Sequence, residues 1–226
     1  MMSNSSSLLM SVASEHEIDQ HAPSTTINDA VRVCDELETL VSNGLNETAE
    51  LSIWRRQPPH EVRAALNSTD LETLEDFRIS GLADDVKRSA ETYLNRSGLN
   101  AIVNQFIQGD INSLLRLTYQ PDTQYTLRLE CVDDDACRRF HKDSTDFRLI
   151  TTYCGRGTQW GETDSSGNVQ DIQELQTFDV ALFLGKRSER RAGILHRSPP
   201  IAGSNEKRFL MVIDVNRPGR QLNVTL

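Results

Sequence analysis

The chain has 226 residues, of which 37% are hydrophobic, and this is enough for one sizeable domain with a buried core. Its 33 acidic and 24 basic side chains give a formal charge of −9, which argues against a cationic nucleic-acid-binding surface. No stretch approaches the roughly 18 apolar residues that a membrane-spanning helix needs. We therefore expect a protein without membrane association.

Residues 1–25 are rich in Ser and Thr without apolar periodicity, which predicts a disordered tail. Apolar residues between Ala30 and Val41 recur at helical spacing, and we expect a helix that ends at Asn43-Gly44. Alternation over Leu51–Trp54 predicts a short strand. Pro58-Pro59 breaks the chain and can open the next helix.

Residues 59–95 have a broken helical pattern, and the strongest helical stripe follows between Leu99 and Leu115, before Pro121. Beyond Pro121 the pattern changes to a period of two, which predicts short strands separated by turns. These strands are expected near residues 125–132, 147–153, 179–184, 193–196 and 208–214. Between Trp160 and Phe178 we expect a short polar loop.

Acidic residues outnumber basic ones by 17 to 8 over residues 1–100, whereas residues 101–226 carry 16 of each. Together with the change of periodicity, this predicts an α+β protein in two parts after the tail. Residues 26–120 would form a mainly helical N-terminal part, and residues 121–226 would form an all-β barrel or sandwich backed by those helices.

Four cysteines are spread without a Cys-x-x-Cys pair, at Cys34, Cys131, Cys137 and Cys154. This spacing does not favour a structural zinc site, and the density is too low for a disulfide framework. No basic residue precedes the apolar segment Leu8–Ala13, so a secretory signal is not expected. Free thiols and a cytoplasmic location are predicted.

The candidate site begins with His141-Lys142-Asp143 in the β-rich half. On an extended chain, residues i and i+2 point to the same face, so this imidazole and this carboxylate can converge. His196 follows near the end of a predicted strand, and Arg208 opens the last one. Two histidines and one carboxylate on one face of a barrel are typical of non-haem Fe(II) oxygenases.

The order of these motifs resembles the double-stranded β-helix of the Fe(II)/2-oxoglutarate-dependent dioxygenases, particularly their prolyl-hydroxylase-like branch. The resemblance covers residues 139–215. That family has a jelly-roll or cupin-like barrel, which we expect to be formed by residues 121–226. The motifs that carry it are Phe140–Asp143, Arg148–Tyr153, Gly155–Trp160, Val180–Leu184, His196–Pro200 and Arg208–Met211.

The resemblance implies that His141, Asp143 and His196 bind Fe(II). It implies that Arg208 pairs with the distal carboxylate of the co-substrate 2-oxoglutarate, because a planar guanidinium can bind both carboxylate oxygens. Lys207 and Arg197 are alternatives for this role. Tyr153 or Thr151 could donate a further hydroxyl hydrogen bond to the same carboxylate.

The whole chain also resembles a bacterial family of unknown function. The motifs concerned are Trp54-Arg-Arg, Asp134-Asp-x-Cys-x-x-Phe-His-x-Asp, Thr152-Tyr-x-Gly-x-Gly-Thr and His196-Arg-Ser-Pro-Pro. This resemblance identifies relatives without identifying a reaction.

Three functions stay open from the sequence. The first is an Fe(II)- and 2-oxoglutarate-dependent oxygenase, with a small molecule, a protein side chain or a modified nucleotide as substrate. The acidic first half argues against bulk nucleic acid. The second is a cupin-like, zinc-handling protein that uses the same ligands, with Cys137 as a further one. The third is an interaction module that binds an anionic partner through Arg148, Arg190 and Arg208. The sequence does not specify the oligomeric state.

Overall fold

A computed structural model describes residues 26–218 except 29, 47, 48, 136 and 189–192. The predicted tail of residues 1–25 therefore lies outside the described residues. In chain order the described elements are β1 Thr26–Asn28, β2 Val31–Cys34, α1 Leu37–Asn46, β3 Leu51–Trp54, α2 His60–Asn67, β4 Phe77–Gly81, α3 Ala83–Leu94, α4 Ala101–Leu117, β5 Gln124–Val132, β6 Phe147–Cys154, β7 Gln159–Thr163, β8 Val169–Glu174, β9 Val180–Leu184, β10 Ile194–Arg197 and β11 Arg208–Asn216.

The strands form two sheets. The large sheet has eight strands in the order β1-β2-β3-β9-β6-β11-β5-β4, and the small sheet has three strands in the order β10-β7-β8. Apart from the parallel pair of β2 and β3, all the pairings are antiparallel. The protein is thus a mixed α/β fold built on a large, mainly antiparallel sheet.

Side chains alternate across the large sheet and separate two cores. On β11, Phe209, Met211, Ile213 and Val215 belong to the core that includes residues of the four helices. Leu210 and Val212 face the other way and pack with Trp160 and Ile194 of the small sheet. The candidate site lies on this second side of the large sheet.

The helical stripe predicted between Leu99 and Leu115 is confirmed as α4. Asn100 caps this helix, because its side-chain oxygen accepts a hydrogen bond from the backbone N–H of Ile102. The buried face of the helix contains Val103, Ile107, Ile111, Leu114 and Leu115. Pro59 precedes the first residue of α2, as predicted. Among the described residues, no helix is both long and apolar enough to span a bilayer.

The helix predicted between Ala30 and Val41 is wrong in its first part. Residues Val31–Cys34 form β2, which pairs in parallel with β3, and the helix α1 begins only at Leu37. The β-branched valines of β2 gain a partner strand that local periodicity cannot reveal. Gly44 lies within α1 rather than ending it, and a Cβ there would come within 2.6 Å of Leu182.

The polar segment predicted as a loop between Trp160 and Phe178 is largely β-structure. Strands β7 and β8 pair in it as a hairpin and form most of the small sheet. Its polar composition reflects exposure, because nearly all of β8 faces solvent. In the N-terminal part, β1–β4 extend the large sheet at both edges.

Candidate metal centre

The two histidines of the site are paired by backbone hydrogen bonds. His141 and His196 form an isolated antiparallel bridge, in which each backbone N–H donates to the other residue's carbonyl oxygen at 3.0 Å. Residues paired in this way project their side chains to the same face. The two imidazole centroids accordingly lie 4.7 Å apart, and the His196 ring also packs on Phe183 at 4.5 Å.

Asp143 completes the cluster from the loop that precedes β6. Its Oδ2 atom lies 3.0 Å from Nε2 of His196, and its Oδ1 atom lies 3.5 Å from Nε2 of His141. One ligand atom from each of the three residues falls within 4.8 Å of the others. Donor atoms bound at right angles about 2 Å from one metal ion are about 3 Å apart, so this spacing suits a common ion.

The loop that carries Asp143 is held against the end of β9. The Asp143 carbonyl accepts a hydrogen bond from the Lys186 N–H at 2.7 Å. A Cβ on Gly185 would come within 1.9 Å of the Thr145 carbonyl oxygen. Only glycine permits this close approach of the two backbones, so Gly185 lets the loop that carries Asp143 pack against the end of β9.

Hydrogen bonding leaves the correct atoms free for a metal. Nδ1 of His141 lies 2.9 Å from the Arg139 carbonyl, which can only accept, so Nδ1 carries the proton and Nε2 keeps its lone pair. Nε2 of His196 and Oδ2 of Asp143 are buried and lie 3.0 Å apart, and neither atom has another hydrogen-bond partner among the described residues. A cation placed between them would bind both atoms.

The protonation states also favour cation binding. Burial opposes ionisation of Asp143, but hydrogen bonds from His141 and His196 and the charge of Arg148 outweigh it, so its pKa lies well below the usual range. Burial lowers the pKa of His196, so this imidazole is neutral at neutral pH. A hydrogen bond to Asp143 raises the pKa of His141 in the metal-free protein. Metal binding would therefore compete with one proton at most on this residue.

Arg148 on β6 joins Asp143 to a second carboxylate. Its Nη1 lies 2.6 Å from Oδ1 of Asp143. Its Nε and Nη2 donate to the two oxygens of Asp214 on β11, at 2.6 and 3.0 Å. The side chains of all three residues are less than 15% exposed. Arg148 is thus ion-paired within the site, which does not support the hypothesis that it binds an anionic partner.

Arg208 is a buried cation in the same region. It is only 1% exposed; its Nε donates to the Arg156 carbonyl at 2.7 Å, and Nη2 donates to the hydroxyls of Thr152 and Thr158 at 3.4 and 3.3 Å. Among the described residues, no carboxylate lies within ion-pair distance of it. Burial without such a partner lowers the pKa of Arg208 to about 10, and the group stays charged at neutral pH.

A cavity of about 320 Å³ connects these groups. His141, His196, Arg148 and Arg208 all contribute to its wall. Apolar side chains of the core between the two sheets, Ile150, Leu210 and Val212, line it as well. The cavity thus offers the two candidate histidine ligands and the Arg208 guanidinium to one small molecule.

We predicted that Tyr153 or Thr151 places a hydroxyl beside Arg208. The structure corrects this prediction, because the hydroxyl beside Arg208 belongs to Thr152. Tyr153 points to the helix side of the sheet, where its hydroxyl donates to Asp110 at 2.8 Å. Thr151 pairs with Met211, whose side chain belongs to the same helix-side core. Alternation along β6 therefore places Thr152 on the face of Arg208, and Thr158 joins it from the segment before β7. The sequence contains both threonines, but it does not reveal that their side chains lie on the same face of the sheet as Arg208.

The other sequence candidates lie around this centre without completing it. Lys207 is ion-paired with Glu72 at 2.9 Å on the surface. Arg197 stacks over Phe140, with its Nε donating to Gln159 at 2.9 Å. Cys137 lines the cavity but is not part of the cluster of His141, Asp143 and His196 in the described part of the chain. Arg190 lies outside the described residues.

Comparison with known proteins identifies the family. Residues 35–214 match the model of a family described as a protein of unknown function, DUF1826. The chain belongs to the DUF1826 family. This confirms the sequence resemblance to a family of unknown function, and no curated protein matches the chain.

Solved structures similar to this DUF1826 chain include three of low sequence identity. The rice dioxygenase for auxin oxidation is 10% identical, with a TM-score of 0.48, covering 75% of this chain and 74% of its own. The dioxygenase for auxin oxidation 1 from Arabidopsis thaliana, in complex with 2-oxoglutarate, is 13% identical, with a TM-score of 0.43 and coverage of 72% and 74%. A Pseudomonas putida prolyl-4-hydroxylase is 12% identical, with a TM-score of 0.40 and coverage of 81% and 100%. Two of these structures are named dioxygenases, and the third is named a prolyl-4-hydroxylase.

Proposed function

We propose that this protein is an Fe(II)- and 2-oxoglutarate-dependent oxygenase of the hydroxylase type. The observation that carries the proposal is the convergence of His141, Asp143 and His196, with two buried ligand atoms that lack any other partner among the described residues. Two histidines and one carboxylate leave three positions of an octahedral ion open, as non-haem Fe(II) oxygenases require. A zinc site that uses Cys137 gains no support, since that thiol stands outside the cluster.

Arg208 supports 2-oxoglutarate as the co-substrate. A buried guanidinium costs free energy unless an anion compensates it, and the described residues supply only neutral acceptors. A dicarboxylate bound in the cavity would satisfy this cation at one end and reach the metal ligands at the other. Thr152 and Thr158 hold the guanidinium in place, and their hydroxyls can donate to the same carboxylate.

We further propose that residues 121–226 form a double-stranded β-helix, with residues 26–120 packed against it. Strands β5 to β11 all come from this C-terminal part and enclose the site between the two sheets. In such a jelly roll, the ligands would lie inside the barrel. The position of His196 on β10 and Arg208 on β11 in the wall of one cavity supports this proposal.

When bound, Fe(II) would supply the activation of O2 for oxidising a C–H bond, using electrons from 2-oxoglutarate decarboxylation. The protein would position the metal and the substrates and exclude water from the cavity. His141 presents a lone pair fixed by its hydrogen bond to Arg139, and Ile150, Leu210 and Val212 form an apolar part of the cavity wall. The substrate class we propose is a small molecule or a protein side chain.

The test is anaerobic addition of Fe(II) and 2-oxoglutarate to the protein. We expect a visible charge-transfer band in the wild-type protein and its loss in His141→Ala. His60→Ala is the matched control, because His60 is exposed at the start of α2, away from the cavity, and should keep the band. Under O2, the wild type should convert 2-oxoglutarate to succinate.

A wild-type protein that shows neither the band nor succinate would overturn the proposed function. Tight zinc binding that 2-oxoglutarate leaves unchanged would instead favour a metal-binding protein without oxygenase activity.

A further inference from the structure

Arg148 has no role in the function proposed above, yet it makes the shortest polar contact to the Asp143 side chain. The contact joins Nη1 of Arg148 to Oδ1 of Asp143 at 2.6 Å, whereas Oδ2 of the same carboxylate faces Nε2 of His196. The two oxygens of Asp143 therefore have different surroundings. One is bonded to a cation of the protein, and the other is buried and has no hydrogen-bond partner among the described residues apart from the candidate ligand His196.

The position of Arg148 is itself fixed from a neighbouring strand. Nε and Nη2 bind both oxygens of Asp214, and Arg148 and Asp214 are direct partners in the pairing of β6 with β11. This leaves Nη1 as the guanidinium nitrogen that reaches the loop. The planar fork of arginine can bind two carboxylates in a fixed geometry, which the point charge of lysine cannot do.

We propose that Arg148 is a positioning residue that restricts Asp143 to a single ligand atom, Oδ2, in the metal centre. This inference rests on metal binding by the cluster described above. A carboxylate that chelated through both oxygens would occupy four positions of an octahedral ion together with the two histidines. Restriction to one oxygen keeps three positions open, which is what a co-substrate that chelates the ion and O2 together need.

The experiment uses Co(II) alone as the probe, added to the full-length protein without 2-oxoglutarate. The variant is Arg148→Lys, which keeps the positive charge beside the two carboxylates and removes the fork. We expect Co(II) to bind about 10- to 100-fold more weakly, as is usual when a partner of a metal ligand is lost. We also expect the visible Co(II) spectrum to change, because its bands depend on coordination geometry.

The chain contains a matched control for burial and for the loss of an arginine fork. Arg56 binds both oxygens of Asp110 on the helix side of the large sheet, and both side chains are 9% exposed. Arg56→Lys should destabilise the fold in a similar way and leave the Co(II) affinity and spectrum unchanged. A merely structural role for Arg148 would make the two variants behave alike.

Asp214→Asn provides a second variant that keeps Arg148 and weakens its anchor, in case Arg148→Lys does not fold. It should weaken Co(II) binding in the same direction by a smaller factor. Wild-type affinity and an unchanged spectrum in the folded variants would overturn the role of Arg148 while leaving metal binding intact. A wild type that binds no Co(II) would overturn the metal centre as well, so the two failures are distinguishable.

Discussion

The two faces of the large sheet each hold a buried arginine–aspartate system, and they differ in what is left over. On the helix side, Arg56 binds both oxygens of Asp110, donates to the Phe178 carbonyl and stacks on Trp54, and Tyr153 donates to the same aspartate. Both charged groups of this network have protein partners among the described residues.

On the cavity side, Arg148, Asp143 and Asp214 form a comparable network, but one buried atom of Asp143 and one of His196 have no hydrogen-bond partner beyond each other in the described structure. Arg208 is buried there without a carboxylate. A network whose charged groups are all paired, such as that of Arg56 and Asp110, stabilises a fold. Buried polar groups that lack partners beside a cavity indicate a ligand. This difference distinguishes the helix-side network from the cavity-side network, which we propose to bind a ligand.

The helix-side network should give the largest effect on stability. Asp110→Ala leaves Arg56 buried and unpaired, and we expect the free energy of unfolding to fall by about 3–5 kcal/mol. Urea denaturation would measure this change. Co(II) affinity at 25 °C in the folded fraction should stay at the wild-type value, and a parallel loss of metal binding would contradict the separation of the two faces.

Metal should stabilise the cavity side specifically. At a Co(II) concentration 100 times its Kd, the free energy of unfolding should rise by about 2.7 kcal/mol, because the ion binds the folded state alone. Thermal unfolding with and without the ion measures the shift. His196→Ala should abolish it, and the exposed His60→Ala should not; equal shifts in both variants would place the ion elsewhere.

The loop that positions Asp143 should tolerate no side chain at Gly185. Gly185→Ala places a Cβ against the Thr145 carbonyl, so we expect a loss of about 1–3 kcal/mol in stability together with weaker Co(II) binding. Gly109→Ala on α4 is the control, because a Cβ there meets nothing within 4 Å. Metal affinity that stays unchanged in Gly185→Ala would show that Asp143 is positioned by other contacts.

Arg208 should give the smallest effect on the stability of the protein without ligands. Arg208→Met removes a buried cation that has no carboxylate partner, so we expect the free energy of unfolding to change by less than about 1 kcal/mol. Stabilisation by 2-oxoglutarate in the presence of metal should be lost. A large destabilisation with 2-oxoglutarate binding intact would show that Arg208 is instead a structural residue.

The sequence predicted those parts of the site that depend on short-range geometry. His141 and Asp143 follow from the spacing i, i+2, and α4 follows from a stripe of helical period. The face that Tyr153 occupies depends on the register of β6 against β11, which includes a bulge near Phe209, and no local pattern encodes it.

Other features depend on partners that are remote in the chain. Strand β2 forms because β3 pairs with it. The spacing of its valines alone predicts part of a helix, since the local pattern carries no information about β3. The sequence does contain a signal for the Arg148–Asp214 pair, because each of these charged residues interrupts an otherwise largely apolar strand. A buried charge of this kind requires a partner, and only the pairing of β6 with β11 identifies which one.

The most direct test of the central claim is a crystal structure of the protein grown without oxygen in the presence of Fe(II) and 2-oxoglutarate. We predict an iron anomalous peak about 2 Å from Nε2 of His141, Oδ2 of Asp143 and Nε2 of His196, with a carboxylate of the co-substrate on Arg208. Iron bound at another place, or a cavity that stays free of iron under these conditions, would contradict the account.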